Sequence, residues 1–193
     1  MSAKSRILGV LSGPVASRIR FSFPLGGTNI TISSHTFQRV ARAIRHDHIV
    51  VNVTTVLPPG VAAQYHDNTD TMDTQPVIGR GDEGLVLHEC THAFFDITRQ
   101  PIDALHEEAA AYVVDALYFR MTGLSRPRWS GPPHAAAGNV ADSLLQDYQR
   151  GATAVPTVNA TAWANLMSGI RSHRVYRAGP AGTGGSYIHN GVR

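Results

Sequence analysis

The run Leu87-His88-Glu89-Cys90-Thr91-His92, inside a stretch that reads as a helix, constrains this chain more than any other feature. Four residues is about one helical turn, so His88 and His92 leave the same helix face. Two imidazoles at that spacing can grip one zinc ion, and Glu89 beside them can act on the water that the zinc holds. Glu89 points along a different helix direction from the two histidines, so it reads as a base and not as a ligand. A catalytic zinc site needs a third protein ligand, and a second histidine-facing element must supply it.

The acids indicate where that ligand lies. The chain has four glutamates, Glu83, Glu89, Glu107 and Glu108, all in one segment, while aspartates occur elsewhere as well. Thr98-Arg99-Gln100-Pro101 interrupts the helical pattern. A second helix reads from Pro101 or Ile102 to Met121, with Gly123 as its stop. His92 lies about six residues before the break and Glu108 about six or seven after it, each roughly 9–10 Å from the turn at 1.5 Å per residue. An antiparallel pair would bring them to one height. Glu108 shares a face with Tyr112 and Asp115 across an otherwise apolar helix, and a buried acid needs a partner. Glu107, on the face of Asp103, Ala111 and Val114, is the rival ligand, and helix phase alone does not separate the two. The polar face of Glu108 and the alanine after it favour the set His88, His92 and Glu108. Asp115, Asp96 or a backbone carbonyl is expected to accept the other ring N–H of a ligating histidine. His106 reads as a surface residue and Cys90 as a small packed one.

With these residues in place the chain resembles the gluzincins, the zinc metallopeptidase group that includes thermolysin and the M1 aminopeptidases. They carry His-Glu-x-x-His on one helix and a ligand glutamate on the next. The matching residues are His88, Glu89 and His92, then Glu108 in Glu107-Glu108-Ala109-Ala110-Ala111-Tyr112. Upstream, Tyr65-His66-Asp67-Asn68-Thr69-Asp70-Thr71 is similar to the extended segment before the metal helix in many small bacterial gluzincin-like domains. The match covers residues 62–120. The interval from His92 to Glu108 is shorter than in large members, and the downstream histidine and tyrosine of thermolysin-like enzymes have no clear counterpart. The resemblance implies peptide hydrolysis, with Glu89 as general base and zinc as cofactor. Tyr112, His134, Tyr148, His173 and Tyr176 are the candidates for stabilising a developing oxyanion.

The remaining sequence suits one α+β domain over residues 1–176, with a flexible glycine-rich tail over 177–193. Hydrophobic residues make up 42% of the chain, enough for a core. The expected plan is a small N-terminal mixed sheet with a helix, then a helical half. Arg18–Phe23 and Asn29–Ile32 alternate around Gly26-Gly27 and read as a hairpin. A helix runs from Ser33 or Ser34 to Arg45, with Phe37, Val40, Ala41 and Ile44 on one face. The β-branched run over 48–56 reads as the best strand. Extended segments follow at 63–65 and 71–78, with Pro76 assigning the latter to a sheet edge. An open strand edge beside the zinc can hold an extended peptide by main-chain pairing. Asp82 is placed to cap the metal helix. Residues 125–133 read as a proline-rich loop, followed by helices at 139–149 and 160–171.

Basic residues are scattered and not grouped with aromatics, which argues against nucleic acid despite a net charge of +3. No apolar run approaches the roughly 18 residues of a membrane span. The N-terminal apolar stretch is shorter than a leader's, so the expected location is cytoplasmic, or exported without a cleaved signal peptide. The expected partner is a peptide or protein substrate. The alternative function is a zinc-binding, gluzincin-like module that binds or regulates without cutting.

Overall fold

The computed structural model describes residues 2–58, 61–124, 131–151 and 153–192. Helix α1 (Ala3–Leu11) opens the chain, capped by Ser2, whose side chain accepts the Ser5 N–H. It buries Ile7, Val10 and Leu11, an i, i+3, i+4 stripe too short to stand out around Gly9. Strands β1 (Phe21–Leu25) and β2 (Thr28–Ile32) form the expected hairpin. Gly26 and Gly27 make its two-residue turn at φ +54° and +87°, a conformation only glycine adopts without strain. Helix α2 (Ser34–Arg45) begins where the Ser33 N–H donates to Thr36 Oγ1, and it buries Phe37, Val40, Ala41 and Ile44 as expected.

Strands β3 (Val50–Val53), β4 (Ala63–His66) and β5 (Thr71–Thr74) form a separate three-stranded sheet in the order β3-β5-β4. β5 runs parallel to β3 and antiparallel to β4. One expectation changes here, that for the strand before Pro76. The run richest in β-branched residues, β3, is an edge strand with Val50 and Val53 exposed. The strand before Pro76 stops at Thr74 and is central, because the proline lies beyond the ladder; β4 takes the other edge.

The metal-motif helix α3 (Glu83–Thr98) follows a single 3₁₀ turn at Arg80–Asp82. Asp82 precedes it but spends its carboxylate on the Gly79 N–H rather than on the helix end. Arg99, left-handed at φ 48°, ends α3 and turns the chain back. Helix α4 (Ala104–Thr122) then starts at Asp103, whose side chain accepts the His106 N–H at 3.0 Å. The start is two or three residues later than expected. α5 (Pro132–Gln149) begins with two prolines, which suit the first turn because their missing N–H groups would be unpaired there. The proline-rich loop expected at 125–133 is thus helical from Pro132, and its residues 125–130 lie outside the described part. α6 (Ala160–Ser172) and the short α7 (Pro180–Thr183) complete the chain.

α4 is the axis of the molecule. It packs against α3, α5, α6 and α7, and every residue from Ala104 to Phe119 except His106 is buried. A helix buried all round carries no strong amphipathic stripe. The hairpin is tied on by α6: Trp163 stacks on Phe23 with ring centres 4.7 Å apart, and Ser22 pairs with the chain before α6 through its N–H and carbonyl. α2 packs on α3, and β4 lies against α3, so the sheet reaches the motif helix by its edge. No described helix is long and apolar enough to cross a membrane.

The close approach of α3 to α4 depends on Gly84. A Cβ there would sit 2.3 Å from Asp115 Oδ1 and 2.7 Å from the Phe119 ring. Gly84→Ala is therefore expected to destabilise. Overpacking costs about 1–3 kcal/mol, and the better helix propensity of alanine returns at most about 1 kcal/mol. A lowered midpoint in denaturant unfolding checks this; an unchanged or raised midpoint would refute the tight contact.

Candidate metal centre

The turn from Arg99 to Asp103 sets the motif face of α3 against the glutamates of α4. His88 Nε2 and His92 Nε2 lie 3.6 and 3.8 Å from Glu108 Oε2. These three atoms all lie within 4.8 Å of one another. Three atoms at 2.0–2.1 Å from a tetrahedral ion stand roughly 3.3 Å apart, so the observed triangle needs only a small contraction. Glu108 Oε2 is buried and has no hydrogen-bond partner among the described residues. A carboxylate oxygen left so inside a protein is costly, and a cation at the triangle's centre removes that cost. His88, His92 and Glu108 can therefore hold a metal ion.

Electrostatics agree. Burial disfavours the charge of both His92 and Glu108, yet their mutual attraction prevails. Glu108, with Glu107 adding to it, pushes the His92 imidazole up to about 10. The two imidazoles hold the Glu108 carboxyl down to about 2.

The rival glutamate has a different task. Glu107 Oε1 lies 2.7 Å from His92 Nδ1, and Glu107 Oε2 lies 2.9 Å from His189 Nε2. A carboxylate accepts, so His92 donates from Nδ1 and turns Nε2 to the triangle, where a metal would take the place of the second ring proton. One turn position separates the two glutamates: Glu108 faces the triangle, and Glu107 braces a histidine from behind. His189 Nδ1 lies 2.9 Å from the Gln100 carbonyl. With an acceptor at each ring nitrogen, His189 must donate from both and is held as an imidazolium. Burial works against that charge, but Glu107 raises its pKa.

This replaces the expectation that Asp96 or Asp115 orients a ligand histidine. Asp96 is fully buried and accepts the Tyr65 hydroxyl at 2.6 Å and the Gly191 N–H at 2.9 Å. Asp115 lies beside Gly84, nearer the start of α3. Glu89 Oε2 accepts the Tyr65 N–H at 2.8 Å. Glu89 and Asp96, seven apart and so on one face, clamp Tyr65 of β4 by its backbone and its hydroxyl. Half-buried Glu89 is thus held at the strand edge, near enough to His92 for its charge to act there. Cys90 is fully buried, and burial pushes its thiol pKa up, as expected for a packing residue. His106 bonds Asp103 at 2.7 Å and is no ligand.

Of the five oxyanion candidates, Tyr112 and Tyr176 reach the centre: the Tyr112 ring is edge-on to His88 at 5.2 Å between centres, and Tyr176 lies close enough to Glu108 to interact with its carboxylate. The Tyr112 hydroxyl meets that of Tyr176 at 3.1 Å, and His134 lies against the Tyr112 ring. His173 is one step further out, beside Tyr176. Tyr148 is elsewhere: its hydroxyl bonds the Arg20 backbone. The residue that sequence reasoning left out of the site is Tyr187, whose hydroxyl donates to Glu108 Oε1 at 2.6 Å. Burial, then nearby Glu108, raises the pKa of Tyr176 and Tyr187, so both stay phenols and donors. The segment expected to be a flexible tail instead carries α7 and lies on the site through Tyr187, His189 and Gly191. One signal was present: Tyr187 and His189 sit at i, i+2, which puts both on one side of an extended chain.

Zinc titration with metal analysis should give one ion per chain. His92→Ala and Glu108→Ala should abolish stoichiometric binding, while Glu107→Gln should only weaken it, by about 10–100-fold. Full binding by His92→Ala would refute the centre; loss by Glu107→Gln alone would reverse the ligand choice. Because the ligands sit on two helices, the ion binds the folded state only. At a thousandfold excess over Kd it adds about 4 kcal/mol, which raises Tm by roughly 8–16 °C for a chain of this size. Chelation should remove that increment.

Compared with known proteins, the chain matches no protein-family model, no curated protein and no solved structure.

Proposed function

We propose that this chain is a zinc-dependent peptidase of gluzincin type, cutting an extended peptide laid along β4. The observation that carries the reading is the buried Glu108 Oε2, without a hydrogen bond and facing both motif imidazoles, with Glu89 of the same motif held at a strand edge. Two imidazoles and one carboxylate are a donor set typical of catalytic zinc. Zinc held there supplies Lewis acidity, acidifying a water and polarising a carbonyl.

The chain's own residues would do the rest. Glu89 takes a proton from the attacking water and returns it to the leaving amine. The Gln75 N–H bonds the Ala62 carbonyl, so Ala62, Gln64 and His66 turn their backbone groups toward β5. Ala63 and Tyr65 then point theirs to the outer edge, where Tyr65 N–H meets Glu89. A peptide pairing on that edge would pass Glu89, with its scissile carbonyl toward the triangle. The Tyr112–Tyr176 pair supplies protonated hydroxyls close to His88, suited to charge that develops on the carbonyl oxygen.

A second reading is a metal-binding module without hydrolysis. It is favoured by how closed the centre is, with His88 7% and Glu108 5% exposed. The deciding variant is Glu89→Gln. Its amide oxygen can still accept the Tyr65 N–H, so fold and metal should persist, but it cannot act as a base. Turnover of a peptide library by the zinc-loaded protein, read by mass spectrometry, should fall about 10²–10⁴-fold. No cleavage by wild type would favour the module; equal cleavage by both would remove Glu89 from the mechanism.

A further inference from the structure

Three strands of contact run from residues 186–192 into the centre. Tyr187 donates to Glu108 Oε1 and sets its ring edge-on to His92. His189 spans from the Gln100 carbonyl to Glu107 Oε2. The Ile188 and Gly191 N–H groups donate to Asp67 and Asp96. Tyr187 reaches a ligand directly, and His189 reaches one through Glu107. Tyr187 occupies Oε1 of Glu108, which leaves Oε2 to face the imidazoles. His189 fixes the carboxylate that holds His92 by its Nδ1, with Nε2 turned to the triangle.

We propose that Tyr187 and His189 are positioning residues for the metal ligands, so that the C-terminal segment is part of the centre and is itself tightened by the metal. This rests on the reading of His88, His92 and Glu108 as a metal centre. The segment touches four acids, Asp67, Asp96, Glu107 and Glu108, on β4–β5, α3 and α4. A cation that draws Glu108 and His92 together draws both anchors of the segment with them. The linkage is reciprocal: a segment held in place raises metal affinity by the factor by which the metal holds the segment. Glycine content hides this role, because a glycine-rich chain is held here by a few strong contacts and not by a packed face.

The test measures zinc affinity by competition with a chromophoric chelator, alongside hydrogen exchange of residues 185–192. Tyr187→Phe and His189→Ala should each weaken zinc by about 10–100-fold. His189→Gln, whose amide can still donate to Glu107, should recover most of the loss, which a merely space-filling role would not produce. Zinc should slow exchange of the Ile188 and Gly191 amides in wild type and leave them unchanged in Glu108→Ala. A chain ending at Gly185, which keeps the Gly185 carbonyl on the Ala104 N–H, should lose affinity at least as far. If that shorter chain fails to fold, the point variants decide alone. Wild-type zinc affinity in Tyr187→Phe and His189→Ala would overturn the proposal and leave the metal centre standing. Absence of zinc binding by wild type would overturn both.

Discussion

Burying carboxylates on a helix that has no solvent face is the constraint from which the rest of this structure follows. α4 carries Glu107, Glu108 and Asp115 in its buried length. An ionised group there needs partners, or its burial outweighs the packing around it. Glu108 finds two imidazoles and a phenol, and Glu107 finds two imidazoles. Those partners come from α3 and from the chain end, so both must lie against α4 in one register. Gly84 lets α3 come close enough, since any side chain at that position would strike Asp115 and Phe119. The apolar packing of α4 sets the molecule's stability, but its acids set which neighbour lies where.

A second buried acid joins the pieces that the sheet alone would leave apart. Asp96 receives the Tyr65 hydroxyl from β4 and the Gly191 N–H from the chain end. Seven residues earlier on the same face, Glu89 receives the Tyr65 N–H. The edge strand is thus fixed to the motif helix at two heights, and its outer backbone is held at a set distance from Glu89. Charge-assisted bonds of this kind are shorter and stronger than neutral ones.

The centre was legible because its ligands obey helix arithmetic. Four residues place His88 and His92 on one face, and roughly equal distances from the turn place Glu108 opposite them. The same arithmetic could not separate Glu107 from Glu108, since two adjacent residues differ by one step of rotation and both face the histidines. Only the side-chain contacts show that one faces the triangle and the other braces His92. The hairpin, α2 and α6 were legible from alternation, amphipathic spacing and turn residues. α1 was not, because three buried residues in a short helix give too little periodic signal. The place of β5 was misread for a related reason: Pro76 reports where a ladder must stop, whereas edge or centre depends on pairing with distant residues. Tyr187 and His189 lie far along the chain from the residues they touch, in a segment whose composition argues for freedom. Contacts of that range leave no local trace beyond the i, i+2 spacing of the two residues.

The same closure that strengthens the centre limits how it can be reached. Taking the imidazoles and Glu108 out of water lowers the effective dielectric and makes each charge interaction stronger. It also removes direct access: α4 lies behind the ligands, the tyrosine pair covers His88, and Tyr187 stands over His92. Glu89, His92, Tyr176 and Tyr187 are the half-buried groups of this ring, with Glu89 on the side of β4. On the peptidase reading, a substrate arrives on the Glu89 side, along the outer edge of β4, where Ala63 and Tyr65 direct their backbone groups. A thin, extended chain fits that approach, because main-chain pairing needs only one strand's width. A folded surface does not, since it would have to displace Tyr187 or the strand itself. The acid network that holds Glu108 Oε2 toward the imidazoles thus also sets the shape of what could be brought to it.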